Sequence, residues 1–247
     1  MRAMVLAAGL GTRLRHLTKD RPKALIEVAG QTALEIVLLR LREFGIREVI
    51  VNVHHFPEMI AEYLRQNANF GMQIELSRED ILLDTGGGLK QAAWFFLQDT
   101  SPEPFLLHNV DVLSTIDFAR MLRFHKKHEA LATLAVQKRE TSRYLLFDNE
   151  NQLCGRQSGP DDTAEIVRSA PEMKPLAFSG VHMISSRLLS MLSEQRAFSI
   201  ITSYLRLAGK GEKILGFRAD DYYWRDLGKP ENIAQAEQDV KRGLLRL

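Results

Sequence analysis

The sequence predicts an α/β fold: a mostly parallel, twisted sheet with helices on both faces. Two observations carry this. Strand-type and helix-type apolar periods alternate through the first half of the chain. The opening run Arg2-Ala-Met-Val-Leu-Ala7 is apolar without in-out alternation, as in a parallel strand buried on both sides. Such alternation implies right-handed crossovers, and ligands then meet the sheet at the carboxyl ends of its strands.

Each element follows from its own pattern. Residues 33–44 carry apolar side chains at helical spacing, with Gly45 as a stop. Residues 49–53 form a β-branched strand. Residues 57–64 resume helical spacing from Pro57, a residue suited to a first turn. A short strand at 73–76, a helix at 88–97 and a strand at 105–110 complete the first half. In the second half, strands are expected at 131–137 and 144–147, joined by a polar turn. Residues 154–174 are rich in Gly, Asp, Pro and Ser and read as a long loop. A strand at 176–184 follows, then helices near 186–192 and 200–207. Strands at 213–217 and 222–225 close the sheet region, and 230–244 is a final amphipathic helix.

At 247 residues the chain suits one large α/β domain, or one domain with a small appendage. Its 33 basic and 31 acidic residues leave a net charge of +2, which argues against a nucleic-acid coat or a polybasic membrane anchor. Cys154 is the single cysteine, so no internal disulfide can form and a reducing compartment is natural. No apolar stretch approaches the ~18 residues of a membrane span, and no signal peptide is evident. A cytoplasmic protein without membrane or nucleic-acid partners is expected; an oligomer is compatible with the sequence.

The chemistry concentrates behind the first strand. Leu6-Ala-Ala-Gly-Leu-Gly-Thr-Arg-Leu14 is followed by Arg21-Pro-Lys23. Gly9 and Gly11 let the chain turn sharply and present bare N–H groups to an anion. Arg13, Arg15, Lys19, Arg21 and Lys23 stand against the single acid Asp20, a local charge suited to a polyphosphate. The loop is neither of the two common phosphate motifs. A dinucleotide fingerprint would need glycine where Leu14 stands, and the G-x-x-x-x-G-K-[ST] pattern is absent. A nicotinamide oxidoreductase and a P-loop ATPase are therefore disfavoured. The seven histidines have no metal-ligand spacing, His108 reads as a packing residue, and residues 94–96 read as core or an oligomer contact rather than a base-stacking platform.

This loop resembles the signature of the sugar-1-phosphate nucleotidyltransferases, L-A-(A/G)-G-x-G-T-R-(L/M) followed by R-P-K. Later segments are similar to family motifs in the same order: DTGGGLKQA at 84–92, HNVD at 108–111, FSGVHMIS at 178–185 and WRDLGKPENIAQAE at 224–237. The short N-acetylmuramate-1-phosphate uridylyltransferases and the hexose- or heptose-1-phosphate guanylyltransferases resemble it most. The resemblance implies a Rossmann-like, glycosyltransferase-A-like single domain over 1–247, with a nucleotide-binding half at 1–112 and a sugar-binding half at 113–247.

It also implies roles. Nucleotide would be held by Ala7, Ala8, Gly9, Gly11, Thr12, Arg13, Lys23, Thr85, Gly86 and Gly87. Arg13 would grip the triphosphate, and Lys23 would neutralise the α- and sugar phosphates. Asp111 and Asp226, each at a strand end, would share one Mg²⁺ as the cofactor. Asn109, Ser179 and Gly180 would face the sugar. The substrates implied are a nucleoside triphosphate, UTP favoured, and a sugar 1-phosphate, in nucleotide-sugar biosynthesis for the cell wall. A muramic acid substrate would offer a lactyl carboxylate to Arg156 or Arg168. Two departures stand out: Val110 where the family has glycine before its aspartate, and Leu145 where several members have a sugar-contacting glycine. Val110 keeps open a non-catalytic regulatory paralogue that binds nucleotide sugar, and the guanylyltransferase branch is also open.

Overall fold

The structure, a computed structural model, describes residues 1–14, 16–98, 103–158 and 163–247. Arg15, one of the candidate phosphate cations, lies outside the described residues, as do four residues of the expected 154–174 loop.

The chain opens with strand β1 (Ala3–Leu6), then two short 3-10 turns at Thr12–Leu14 and Lys23–Leu25. A small hairpin, β2 (Glu27–Val28) and β3 (Gln31–Thr32), leads into helix α1 (Ala33–Glu43), whose first turn is capped by the Thr32 hydroxyl. Strand β4 (Glu48–Val53), helix α2 (Pro57–Gln66) and strand β5 (Gln73–Arg78) follow. Helices α3 (Asp84–Gln91) and α4 (Ala93–Phe96) lead to strands β6 (Phe105–Asn109) and β7 (Val112–Ser114). Helix α5 (Phe118–Lys127) is capped by Asp117 and precedes β8 (Ala132–Gln137), β9 (Tyr144–Phe147), β10 (Leu153–Gln157) and β11 (Glu165–Ile166). The long strand β12 (Lys174–Ile184), helix α6 (Ile200–Gly209), strands β13 (Ile214–Arg218) and β14 (Trp224–Asp226) and helix α7 (Pro230–Lys241) complete the order.

Among the described residues, ten strands share one sheet. Its main path runs β11-β10-β9-β12-β6-β1-β4-β5, with β8 joined to β12 and β13 joined to β8. β1 lies parallel to β4 and β6, β4 to β5, and β13 to β8. β12 runs antiparallel to β6, β8 and β9. It changes partner half-way: residues 174–177 pair with β9 and residues 181–184 with β6. The ladder to β8 slips between Phe178 and His182, where Gly180 takes a φ of +73° that favours glycine.

Side chains of β1 separate into two cores. Ala3 and Val5 face Leu34, Val37, Leu38 and Leu41 of α1, Ile60 of α2 and Met121 of α5. Met4 and Leu6 face Leu89 of α3, Phe95 and Phe96 of α4 and Tyr204 of α6. Helices thus cover both faces of the sheet, and the continuous apolar run of β1 is the direct consequence. A third cluster, with Leu14, Ile26, Val28, Leu113, Leu227 and Ile233, lies beneath the glycine loop.

Three expectations change, and one helix is new. Helix α3 starts at Asp84, not Gly88, so the three glycines lie inside it. The segment 154–174 is not a loop throughout: β10 and β11 pair antiparallel at the sheet edge. Only Leu153, Cys154 and Gly155 of β10 are buried, too short an apolar run to announce a strand. β14 does not join the main sheet but pairs with β7 in a two-stranded ribbon. Helix α5 was not anticipated; Phe118 and Met121 are its two buried apolar residues amid basic ones. Among the described residues, no helix is long and apolar enough to cross a membrane.

Three histidines are enclosed by this packing. His108 bonds the Asn109 carbonyl oxygen, His125 the Thr133 hydroxyl and His182 the Tyr204 hydroxyl. Burial pushes their pKa values down, to about 4 for His108 and His125 and about 3 for His182. Their unfolded values lie near 6.5, so below that pH the unfolded chain binds more protons and stability falls with acidification. Unfolding free energy is expected to drop between roughly pH 6.5 and 4, by up to about 1.4 kcal/mol per pH unit for each histidine. Denaturant melts at pH 7, 6 and 5 that coincide would refute this.

Candidate active site

The parallel strands β1 and β6 end side by side, with Leu6 in register with Asn109. Their carboxyl ends open into a cavity of about 520 Å³. One wall is the glycine loop. Its first glycine, Gly9, has open space where a side chain would stand. Its second, Gly11, sits at φ +64°, and a Cβ there would come within 2.9 Å of the Thr18 methyl. The buried Thr18 hydroxyl donates to the carbonyls of Gly11 or Leu14, each at 3.2 Å. Leu14, standing where a dinucleotide loop has glycine, is fully buried and anchors the turn in the third core cluster.

Lys23 follows this loop at the start of a 3-10 turn, and its ammonium pairs with the Asp111 carboxylate. The two side chains are only 10% and 21% exposed, and both line the cavity. Val110, the departure from the family glycine, is buried and also lines it. Asp111 sits between β6 and β7. The ribbon of β7 and β14 sets Val112 opposite Asp226, and the Leu227 amide donates to the Asp111 carbonyl at 2.8 Å. Two aspartates 115 positions apart in sequence are thereby brought to one strand-end pair. Asp226 Oδ1 accepts from the Gly228 amide at 2.8 Å. A Cβ on Gly228 would lie 2.5 Å from both Arg13 Nη2 and Asp226 Oδ1, so this glycine lets the Arg13 guanidinium settle beside Asp226.

Asp111 and Asp226 offer the oxygen donors that a hard divalent cation prefers, and Mg²⁺ completes its shell with phosphate oxygens and water. Among the described residues, no group of three or more His, Cys, Asp or Glu is gathered as a metal site.

The other candidates divide. Ala8, Gly9, Gly11, Thr12, Arg13, Thr85 and Asn109 line the cavity. Ala7 does not, and its amide is spent on Asn52. Gly86 and Gly87 are buried in α3, and both amides donate to the Phe198 carbonyl, at 2.9 and 3.2 Å. A Cβ on Gly86 would stand 2.3 Å from the Phe198 ring and 2.9 Å from its carbonyl oxygen. Thr85 does not cap its own helix: its hydroxyl accepts from the Ile200 amide at 3.0 Å, at the start of α6. These small residues let α3 and α6 approach, a packing role that glycine's bare N–H groups alone did not disclose.

On the sugar side, Gly180 lies against Asn109, whose Nδ2 would be 3.0 Å from an added Cβ. The Ser179 side chain is fully buried, with its hydroxyl 3.5 Å from the Gln137 amide oxygen. Its carbonyl instead receives the Trp224 indole N–H at 2.8 Å. Ser179 therefore supports the strand that ends in Asp226. Arg139 stacks on Trp224, 3.5 Å from the ring centre. Arg156 and Arg168 hold Glu165 and Asp148 respectively, on the β10 side of the sheet.

Sequence reasoning missed Asn52 and Glu79. Both are buried polar residues that line the cavity. Asn52 sits inside an apolar strand, and that one polar interruption was the available signal.

The sequence pattern that defines the nucleotidyl transferase family matches residues 2–243. The chain belongs to this family. An N-acetylmuramate alpha-1-phosphate uridylyltransferase from Caulobacter vibrioides is 32% identical over 95% of both chains. A mannose-1-phosphate guanylyltransferase from Mycobacterium tuberculosis is 30% identical over 98% of this chain, which spans 65% of that relative's length. Among solved structures, UDP-glucose pyrophosphorylase in complex with UDP-glucose superposes with a TM-score of 0.77 at 16% identity, covering 98% of each chain. HddC from Yersinia pseudotuberculosis in complex with GMP-PN gives 0.75 at 18% identity, covering 97% of this chain and 99% of that one. At such identities the two structures establish the fold of this nucleotidyl transferase.

The packing role of the glycines is testable. Gly86→Ala is expected to destabilise the fold by about 1–3 kcal/mol, the usual result of forcing a methyl into a filled interface. Chemical denaturation measures it, and an unchanged midpoint would return Gly86 to the ligand side.

Proposed function

We propose that the protein transfers a nucleotidyl group from a nucleoside triphosphate, UTP by preference, to a sugar 1-phosphate, forming a nucleotide sugar. The observation that carries this reading is the Lys23–Asp111 pair inside a cavity walled by the glycine loop. A cation and a carboxylate at one spot are what a phosphate and its counter-cation both need. On this reading 1–112 supplies the nucleotide half and 113–247 the sugar half.

In the reaction a phosphate oxygen of the sugar 1-phosphate bonds to the α-phosphorus. The bond to the bridging oxygen breaks, and pyrophosphate leaves with that electron pair. Catalysis is then positioning and charge neutralisation. Lys23 exchanges Asp111 for the α- and sugar phosphates. Arg13, exposed beside Gly228, closes on the triphosphate as a planar fork. The Ala8 and Gly9 backbone remains for base and phosphate, since the Gly86 and Gly87 amides are spent on Phe198. Asp111 and Asp226 are the residues that would hold Mg²⁺, which supplies charge neutralisation at the phosphates.

The preference for UTP is supported by the uridylyltransferase relative matched along 95% of both chains. The guanylyltransferase relative supports the second reading, transfer from GTP to a mannose- or heptose-type 1-phosphate. The proposed acceptor is an N-acetylated hexose 1-phosphate such as the muramic acid derivative. Its carboxylate would need a partner other than Arg156 or Arg168, which hold acids of this chain. The cytoplasm is the compartment proposed, consistent with the single buried Cys154.

Pyrophosphate release measured across UTP, GTP, CTP, dTTP and ATP against several sugar 1-phosphates, with and without Mg²⁺, tests the whole reading. Turnover with UTP that requires Mg²⁺ is the expected result. Release from GTP alone selects the second reading, and no release from any pair selects a non-catalytic binder.

Lys23→Ala is expected to lower kcat by about two to three orders of magnitude, the usual loss when a preorganised charge leaves a transition state, with a smaller change in nucleotide affinity. Near-normal turnover at saturating substrate would remove Lys23 from this role.

A further inference from the structure

A chain of buried hydrogen bonds runs under the cavity and joins its two walls. The Ala7 amide, at the root of the glycine loop, donates to Asn52 Oδ1 at 2.8 Å. Asn52 Nδ2 donates to Glu79 Oε1 at 2.7 Å. Glu79 Oε2 accepts from the Leu83 amide at 2.9 Å, in the loop that leads to α3. Asn52 and Glu79 are 2% and 4% exposed, yet both line the cavity. The backbone of Glu79 is itself fixed: its amide donates to the Val53 carbonyl, and its carbonyl oxygen meets the His54 ring nitrogen.

Room for this chain is kept by a glycine. A Cβ on Gly88 would lie 2.6 Å from Glu79 Oε1 and 2.7 Å from Asn52 Nδ2. The third glycine of the run therefore serves the network, whereas Gly86 and Gly87 serve the contact with α6.

We propose that Asn52 and Glu79 are positioning residues that set the spacing between the Ala8–Gly9 wall and the Leu82–Thr85 wall, and so decide which base the site accepts. This rests on the reading of the cavity as a nucleotide site. The donors and acceptors alternate without slack: two acceptors on Glu79, one acceptor and one donor on Asn52. Each wall hangs from it by one backbone amide. Losing one link leaves a buried group unpaired and lets that wall move.

The alternation supplies its own test. Glu79→Gln puts an amide NH₂ against either the Asn52 NH₂ or the Leu83 N–H. Asn52→Asp sets two carboxylates face to face. The double exchange, Asn52→Asp with Glu79→Gln, restores every bond in mirror order. The carboxylate then at position 52 would accept from the Ala7 amide and from the side-chain NH₂ at position 79. The amide oxygen at position 79 would accept from the Leu83 N–H. Equilibrium titration with UTP and with GTP, alongside thermal melts, reads the four proteins without needing turnover. Each single variant should weaken the preferred nucleotide about tenfold or more, and pull the UTP-to-GTP affinity ratio toward one. The double variant should return both quantities to within about threefold of the starting protein, as a coupled pair must. Single variants that bind both nucleotides normally overturn the proposal. So do variants with lowered melting points and an unchanged affinity ratio, or a folded double variant no better than the singles. A starting protein that binds nucleotide but releases no pyrophosphate would refute the transferase reading and leave this one to be judged on the titrations.

Discussion

Everything at this site follows from the burial of β1 on both faces. With Ala3 and Val5 in one core and Met4 and Leu6 in the other, the strand has no exposed face on which to carry a polar side chain. Polar chemistry can begin only where the strand stops. There the backbone leaves the ladder, the Ala7 amide turns to Asn52, the glycine loop begins, and the neighbouring strand β6 ends beside it. The site's location is thus fixed before any of its residues is chosen. The third core cluster does the complementary work. It ties Leu14 of the loop to Leu227 and Ile233, so the loop beyond β1 is anchored at its far end as well.

Four glycines near the cavity meet different constraints. Gly11 is needed for its positive φ and its contact with Thr18, Gly228 for the approach of Arg13 to Asp226. Gly86 is needed for contact with Phe198, and Gly88 for the Asn52–Glu79 bond. Glycine is unusual in that its reason is always an absence, of a side chain or of a steric limit. That is why Gly86 and Gly87, which the family resemblance set against the nucleotide, could equally be glycines that spend their amides inside the protein.

The same logic separates what the sequence disclosed from what it withheld. The strand and loop at residues 3–14 were legible because local pattern and tertiary role agree: apolar residues to the edge, then glycines, then cations. Lys23 and Asp111 were legible as separate candidates, and their pairing across 88 positions is a tertiary fact. β14 was expected to join the main sheet, and a strand of three residues, two of them charged, does not say which ladder it enters; pairing with β7 is what carries Asp226 to Asp111. Ser179 was misleading in the opposite sense. The family resemblance implied a sugar contact, but the side chain is fully buried with its hydroxyl toward the Gln137 amide oxygen. Asn52 and Glu79 were hidden because a buried hydrogen-bonded pair has no periodicity of its own.

The resting charge balance of the cavity gives the site its direction. A largely buried ammonium or carboxylate left alone would carry a desolvation cost, and the Lys23–Asp111 pair offsets part of it without any ligand. On the proposed reading, Lys23 would exchange Asp111 for phosphate, and Asp111, freed of Lys23, would be left to hold a divalent cation. Each partner trades one opposite charge for another, so neither is exposed uncompensated at any stage. Neither exchange is favourable alone. A phosphate arriving without a cation would meet a freed carboxylate, and a cation without phosphate would meet a freed ammonium. On that reading nucleotide and metal would enter together, a coupling that would need no moving part beyond one lysine side chain.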